Sequence, residues 1–467
     1  MSTPANSTNS TFSTSPLGVS RRDFVKASAS ATLGASAALS AAGGVVGSLA
    51  SAVFSTGVAR AAYAGGTDSI KIGVIGCGGR GSGAAVDALN ADPAARVVAM
   101  GDVFADRVKS ARENLAQLED TLKSRIVVAD KDCHVGFDAY KAVLASDVDM
   151  VILATPPHFR PIHFEAAVGA GKHVFMEKPV AVDPVGVRRV IAASDAADAK
   201  KLCVVSGTQR RHQNSYIAAM KRLHAGDIGP VMFARCSWDQ GSLWNHARKP
   251  EYSDMEWQLR NWLYFTWLSG DHIVEQHIHN IDVINWGLQA TPTRATAQGG
   301  RQVRTGAEFG HVFDHFAVEF EYPTKDGRVV RVLSTCRQID GCVNRVDEFF
   351  QGAEGTLHTQ PGRSIIEGRK AWRYDPRNAD DGPNDNPYEV EHRDLFAAIH
   401  AGKPVNEARR VAESTLTAIM GRMAAYTGKE VTWEFAMNSK LDLSPEYTFE
   451  KPLSVPAVAT PGKSALV

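Results

Sequence analysis

Ile70-Lys71-Ile72-Gly73-Val74-Ile75 runs without a break into Gly76-Cys77-Gly78-Gly79-Arg80-Gly81, and this junction restricts the chain more than any other. An apolar run that ends in glycines reads as a buried strand. G-x-G-x-x-G where a strand hands over to a helix is the fingerprint of a turn that holds a dinucleotide. Gly76 makes the tight turn, Gly78 lets the backbone approach a pyrophosphate, and Gly81 lets the helix pack close. Gly79 and Arg80 open that helix, whose free N–H groups face the phosphates. The next strand, Arg96–Met100, runs into Gly101-Asp102, which sets an acid beside the ribose hydroxyls. An acid there repels a 2′-phosphate, so NAD is expected over NADP. Arg107 and Lys109 keep the phosphorylated cofactor open as the alternative.

Strands and helices then alternate. Arg125–Ala129 reads as a strand, 136–145 as a helix, and Val148–Leu153 as a strand ending in Ala154-Thr155-Pro156-Pro157-His158. A helix at Phe164–Ala170 leads into His173-Val174-Phe175-Met176-Glu177-Lys178-Pro179. That short apolar run, stopped by a charged pair and a proline, suits an interior strand of a parallel sheet. A helix at Val185–Ala199 and a strand at Leu202–Val205 come next. Such alternation predicts a doubly wound parallel sheet, with every carboxyl end on one side. Thr155, Pro156 and His158 therefore fall beside the glycine loop. Glu177 and Lys178 fall where cofactor and substrate meet, and a lysine there can hold a hydroxyl or keto oxygen.

The chain has 467 residues, with 51 Lys+Arg balanced by 51 Asp+Glu, so nothing points to nucleic acid. Residues 1–64 read as a separate address. Ser20-Arg21-Arg22-Asp23-Phe24-Val25-Lys26 precedes a weakly apolar run of Ala, Gly and Ser ending in Ala62-Tyr63-Ala64. This is the layout of a twin-arginine export signal, which predicts a cleaved periplasmic protein with no stable membrane span. The six cysteines show no C-x-x-C or zinc spacing, so no metal is expected through sulfur. A Cys336–Cys342 bridge is conceivable.

The chain resembles the Gfo/Idh/MocA oxidoreductases, named for glucose-fructose oxidoreductase and inositol dehydrogenase. The matching pieces are G-C-G-G-R-G, A-T-P-P-H, A-G-K-H-V-F-M-E-K-P, H-A-G-D-I-G-P at His224–Pro230, and a late helix ending Tyr426-Thr427-Gly428-Lys429. The resemblance implies an α/β protein: an N-terminal Rossmann domain (65–212), then an α+β substrate and dimerisation domain (213–435) on an open, mostly antiparallel sheet. Residues 436–467 form an extension. It also implies a tightly held nicotinamide cofactor, a homo-oligomer, and Lys178 as a substrate-binding catalytic residue.

The second half is compatible on its own terms. Pro230–Asp239, His311–Tyr322, Arg328–Ile339 and Arg345–Gln351 read as extended, and Asp326-Gly327 is a hairpin signal. Six of the eight tryptophans lie between Trp238 and Trp286. They are either core packing or, with Trp262 the candidate, a surface for stacking on a sugar. In Asp271–Asp282 the apolar residues recur at helical spacing, which puts Glu275 and His279 on one face. His279 falls on the family's histidine position and Glu275 takes the place of its acid. Histidine is suited to accept a hydroxyl proton, and a carboxylate would set its tautomer. His277 and Arg211 are candidate substrate contacts, Arg211 lying with Arg210 and His212 beyond the sixth strand.

These readings predict an exported NAD-dependent oxidoreductase acting on a sugar, polyol or glycoside. The alternatives are an NAD-dependent glycoside hydrolase that oxidises, eliminates and reduces again, or a cofactor-bearing binding protein without catalysis.

Overall fold

The computed structural model describes residues 69–467. The expected export signal, with Arg21 and Arg22, lies outside the described residues. Six strands form the first sheet: β1 (Ile70–Ile75), β2 (Ala95–Asp102), β3 (Cys133–Val135), β4 (Met150–Leu153), β5 (His173–Met176) and β6 (Val204–Ser206). Their order is β3-β2-β1-β4-β5-β6 and every pairing is parallel. Successive side chains of β5 enter opposite cores, Val174 and Met176 one and Phe175 the other, which is why its apolar run is continuous. The strand order reverses between β1 and β4, so a crevice opens beyond their carboxyl ends.

The second sheet has nine strands: β7 (Val231–Gln240), β8 (Arg294–Gly300), β9 (His315–Pro323), β10 (Val329–Gln338), β11 (Arg345–Gly352), β12 (Gly355–Gln360), β13 (Arg363–Gly368), β14 (Trp372–Arg373) and β15 (Val431–Thr432). Only β7–β10 is parallel. Burial alternates along β9 and β10, because one face packs on the helices Ile278–Leu288 and Ala408–Thr427 while the other is open. Asp326-Gly327 turns β9 into β10, with Gly327 at a φ of +82°. The late helix Pro387–Ala401 returns to pack on the helix Gly79–Ala91 of the first layer.

Two expectations change and one open question is answered. Arg125–Ala129 is not a strand: Ile126 makes one bridge to Val97. The carboxyl half of β2 pairs instead with Cys133–Val135, after a turn at Asp130–Asp132. No Cys336–Cys342 bridge forms, since Cys336 is buried, Cys342 is exposed and both are free. The helix expected across Asp271–Asp282 is broken in two, at His272–Glu275 and Ile278–Leu288.

Candidate active site

The glycine loop has the shape a dinucleotide needs. Gly76 sits at a φ of +97°, and a Cβ there would lie 2.5 Å from the Thr155 nitrogen. A Cβ on Gly81 would lie 1.8 Å from the Gly76 carbonyl oxygen, so only glycine lets this helix approach. An added Cβ on Gly78 or Gly79 meets nothing within 4 Å, which leaves the space in front of the helix open for phosphates. Asp102 ends β2 and accepts from the backbone N–H groups of Cys77 (2.7 Å) and Phe104 (3.0 Å). Burial raises its pKa against those two bonds, and a carboxylate keeps lone pairs for ribose hydroxyls. The loop and the acid thus fit a nicotinamide dinucleotide.

Arg80 is held by acids from three elements. Its guanidinium pairs with Glu177 at the end of β5, with Asp87 and with the buried Glu391, and Tyr388 lies against it, 5.1 Å from ring centre to guanidinium. Burial and the nearby Glu177 push the Glu391 carboxyl well above its usual range. Sequence reasoning missed Glu391 and Tyr388, because they are about 310 residues away along the chain. Thr155 and Pro156 follow β4 as expected. The Thr155 hydroxyl lies 3.3 Å from His163 Nδ1 and accepts from Arg160 at 3.4 Å. His158 Nε2 lies 2.7 Å from the Tyr447 hydroxyl, and burial lowers its pKa to about 4.

Lys178 is the next residue after Glu177, and its peptide bond to Pro179 is cis. Its ammonium donates to the Glu275 carbonyl oxygen at 2.7 Å and to Glu275 Oε1 at 3.2 Å. The break in the helix makes this possible. His279 N–H bonds back to Gln276 rather than to Glu275, so the Glu275 carbonyl is left for the lysine. The carboxylate expected to orient His279 instead holds Lys178, since residues 275 and 279 no longer share one continuous helix.

His279 lies in the same neighbourhood. Burial first, then the charges of Lys178 and Arg210, hold its pKa well below the ordinary histidine value. Its ring stacks on Trp238 at 5.7 Å, and its Nδ1 is buried with no partner among the described residues. A neutral imidazole beside a held ammonium can orient a hydroxyl and take its proton.

The other candidates go elsewhere. His277 is fully buried against the second sheet, with Nε2 2.7 Å from the Ser334 hydroxyl and 3.7 Å from Cys236 Sγ. It is a core residue rather than a substrate contact, because the break turns it towards β7 and β10. Arg211 pairs in two bonds with Asp282 (2.8 and 3.0 Å) and lies over the Trp286 ring, lining a separate cavity of about 470 Å³. The tryptophans are dispersed. Trp257 and Trp267 are core, Trp262 meets Trp244 edge-on, and only Trp238 touches His279. Among the described residues no group of metal-ligating side chains is gathered.

Residues 70–220 match the family described as "Oxidoreductase family, NAD-binding Rossmann fold", and residues 216–358 match the "GFO/IDH/MocA C-terminal domain". An inositol 2-dehydrogenase of Klebsiella pneumoniae is 29% identical over 223 residues, 47% of this chain and 55% of that enzyme. The match thus spans about half the length of that relative. An inositol 2-dehydrogenase of Salmonella typhimurium is 25% identical over 72% of this chain and 88% of its own. In fold, an aldose-aldose oxidoreductase from Caulobacter crescentus superposes with a TM-score of 0.60 at 18% identity, covering 78% of this chain and 99% of that one. A scyllo-inositol dehydrogenase from Lactobacillus casei, solved with bound NAD(H) and scyllo-inositol, gives 0.56 at 18% identity, with the same coverage. With a Rossmann sheet carrying the glycine loop and an adjoining domain matched by the partner model, the chain belongs to the Gfo/Idh/MocA family of oxidoreductases.

Proposed function

We propose that this protein oxidises a secondary hydroxyl of a polyol or sugar, using NAD held at the glycine loop. The observation that carries the reading is the junction of Lys178, Glu275 and His279. An ammonium held at the end of β5 lies near a buried, neutral imidazole that lacks a partner on one nitrogen. The nicotinamide supplies the hydride acceptor. Lys178 holds the substrate oxygen, Glu275 keeps the ammonium aimed, and His279 takes the hydroxyl proton as the carbon gives up its hydride. Asp102 favours NAD over NADP by repelling a 2′-phosphate. The names of the relatives support inositols as the first substrates to try.

The protein is tested by adding NAD with myo-inositol, scyllo-inositol, and common aldoses and their glycosides, and following NADH absorbance. Sustained NADH formation with one of them supports the reading. Release of an aglycone without net NADH would replace it with the redox-neutral hydrolysis. We further propose export by the twin-arginine route. Replacing Arg21 and Arg22 together by Lys would trap the precursor in the cytoplasm, since the paired guanidinium groups are what is read. An undiminished shortened product in the periplasm would reject it.

A further inference from the structure

We infer that the C-terminal segment, residues 439–467, forms the outer wall of the dinucleotide crevice, with Tyr447 and Phe449 as the clasp that slows cofactor release; this rests on the glycine loop holding a dinucleotide. An aromatic ring stands just beyond the carboxyl end of each of three strands around β1: Phe104 after β2, Phe137 after β3 and His158 after β4. In a doubly wound sheet these are the ends over which the cofactor lies. The C-terminal segment rests its rings on all three. Phe449 stacks on Phe137 at 5.1 Å and meets Phe104 at 6.2 Å. Tyr447 stacks on Phe137 at 5.7 Å, packs on Phe159 at 5.6 Å and bonds His158 through its hydroxyl.

Only Thr448 separates Tyr447 from Phe449, and both rings stack on Phe137. The Arg260 guanidinium also lies 3.9 Å from the Phe104 ring centre and pairs with Asp106. The segment is moored on either side of the rings. Leu443 N–H donates to Asp183 Oδ2 (2.9 Å), the cap of the helix Pro184–Ala199. Leu453 N–H donates to Asp254 Oδ2 (3.0 Å), and the Leu453 carbonyl accepts from Gln258 at 2.8 Å, both on or beside the helix Asp254–Arg260. Between these moorings the segment has no strand or helix. Ring contacts and one hydroxyl bond hold it there, so it can lift without disturbing either sheet.

The test measures nucleotide release rather than turnover. The full chain, a chain ending at Asp442, Phe449→Ala and Tyr447→Phe are each loaded with NADH. Release is then followed by fluorescence after a chase with excess NAD, and folding is checked by circular dichroism. The shortened chain and Phe449→Ala are expected to release NADH at least roughly tenfold faster than the full chain, and Tyr447→Phe by a smaller factor. Release at the full-chain rate from a folded Phe449→Ala and a folded shortened chain overturns the inference. Should the shortened chain fail to fold, Phe449→Ala decides alone. A full chain that takes up no NADH defeats the dinucleotide reading itself, and the clasp with it.

Discussion

Two cations descend from adjacent strands onto the same short stretch, Glu275–Asn280, and meet different surroundings. Arg210, beyond β6, reaches the buried Glu348 at 2.5 Å. Glu348 also accepts from Asn280 at 2.8 Å and from Thr359 at 2.7 Å, so both of its oxygens are used. Among the described residues Lys178, beyond β5, bonds Glu275 alone, and His279 beside it keeps a bare buried nitrogen. The Glu348 carboxylate has both oxygens engaged, whereas the His279 imidazole keeps one nitrogen with no partner among the described residues. A buried carboxylate with both oxygens engaged belongs to the scaffold, and a bare nitrogen beside a held ammonium is where a substrate hydroxyl can complete the bonding.

The largest test of this contrast is Lys178→Ala and His279→Ala. Each is expected to lower turnover by roughly 10²–10⁴-fold with little change in melting temperature or bound nucleotide. Loss of fold in place of turnover would move Lys178 into the scaffold class. Glu348→Ala should do the reverse and cost about 3–5 kcal/mol of stability, because it strands the Arg210 charge in the core. Urea unfolding reads this directly, and an unchanged midpoint would erase the distinction.

His277→Ala is expected to cost about 1–3 kcal/mol by leaving the Ser334 hydroxyl unpaired, with the KM for the polyol unchanged. A raised KM would return His277 to the substrate site. The last test concerns His212, beyond β6. Burial opposes its charge, but Asp394 at 2.6 Å and Glu407 outweigh burial and raise its pKa from 6.5 to about 10. A folded value above the unfolded one means the stabilisation is full below pH 6.5 and is lost as pH rises towards about 10. Stability should thus fall as pH rises through that window, and His212→Gln should flatten the slope. An equal slope in the variant would show that His212 carries no charge in the folded chain.

The readable parts of the sequence were the ones whose chemistry is local. A strand, three spaced glycines and a helix specify their own turn: Gly76 and Gly81 make the close approaches their spacing predicts, and Gly78 faces open space. The run His173–Met176 carries apolar residues for both faces, so its place inside a parallel sheet follows from composition alone. Lys178 and Asp102 are likewise located by the strand ends that carry them.

Tertiary structure decided the rest. Helical spacing paired Glu275 with His279, yet the chain breaks between them, and the freed carbonyl goes to Lys178. His277 and His279 have the same local pattern, but one packs against Ser334 and the other on Trp238. Tyr447 and Glu391 reach the first layer from about 290 and 310 residues away along the chain. Hydrophobic periodicity reports which face of an element is buried. It carries no information on which distant group satisfies a backbone carbonyl or a buried carboxylate, because that choice is made only when the layers close.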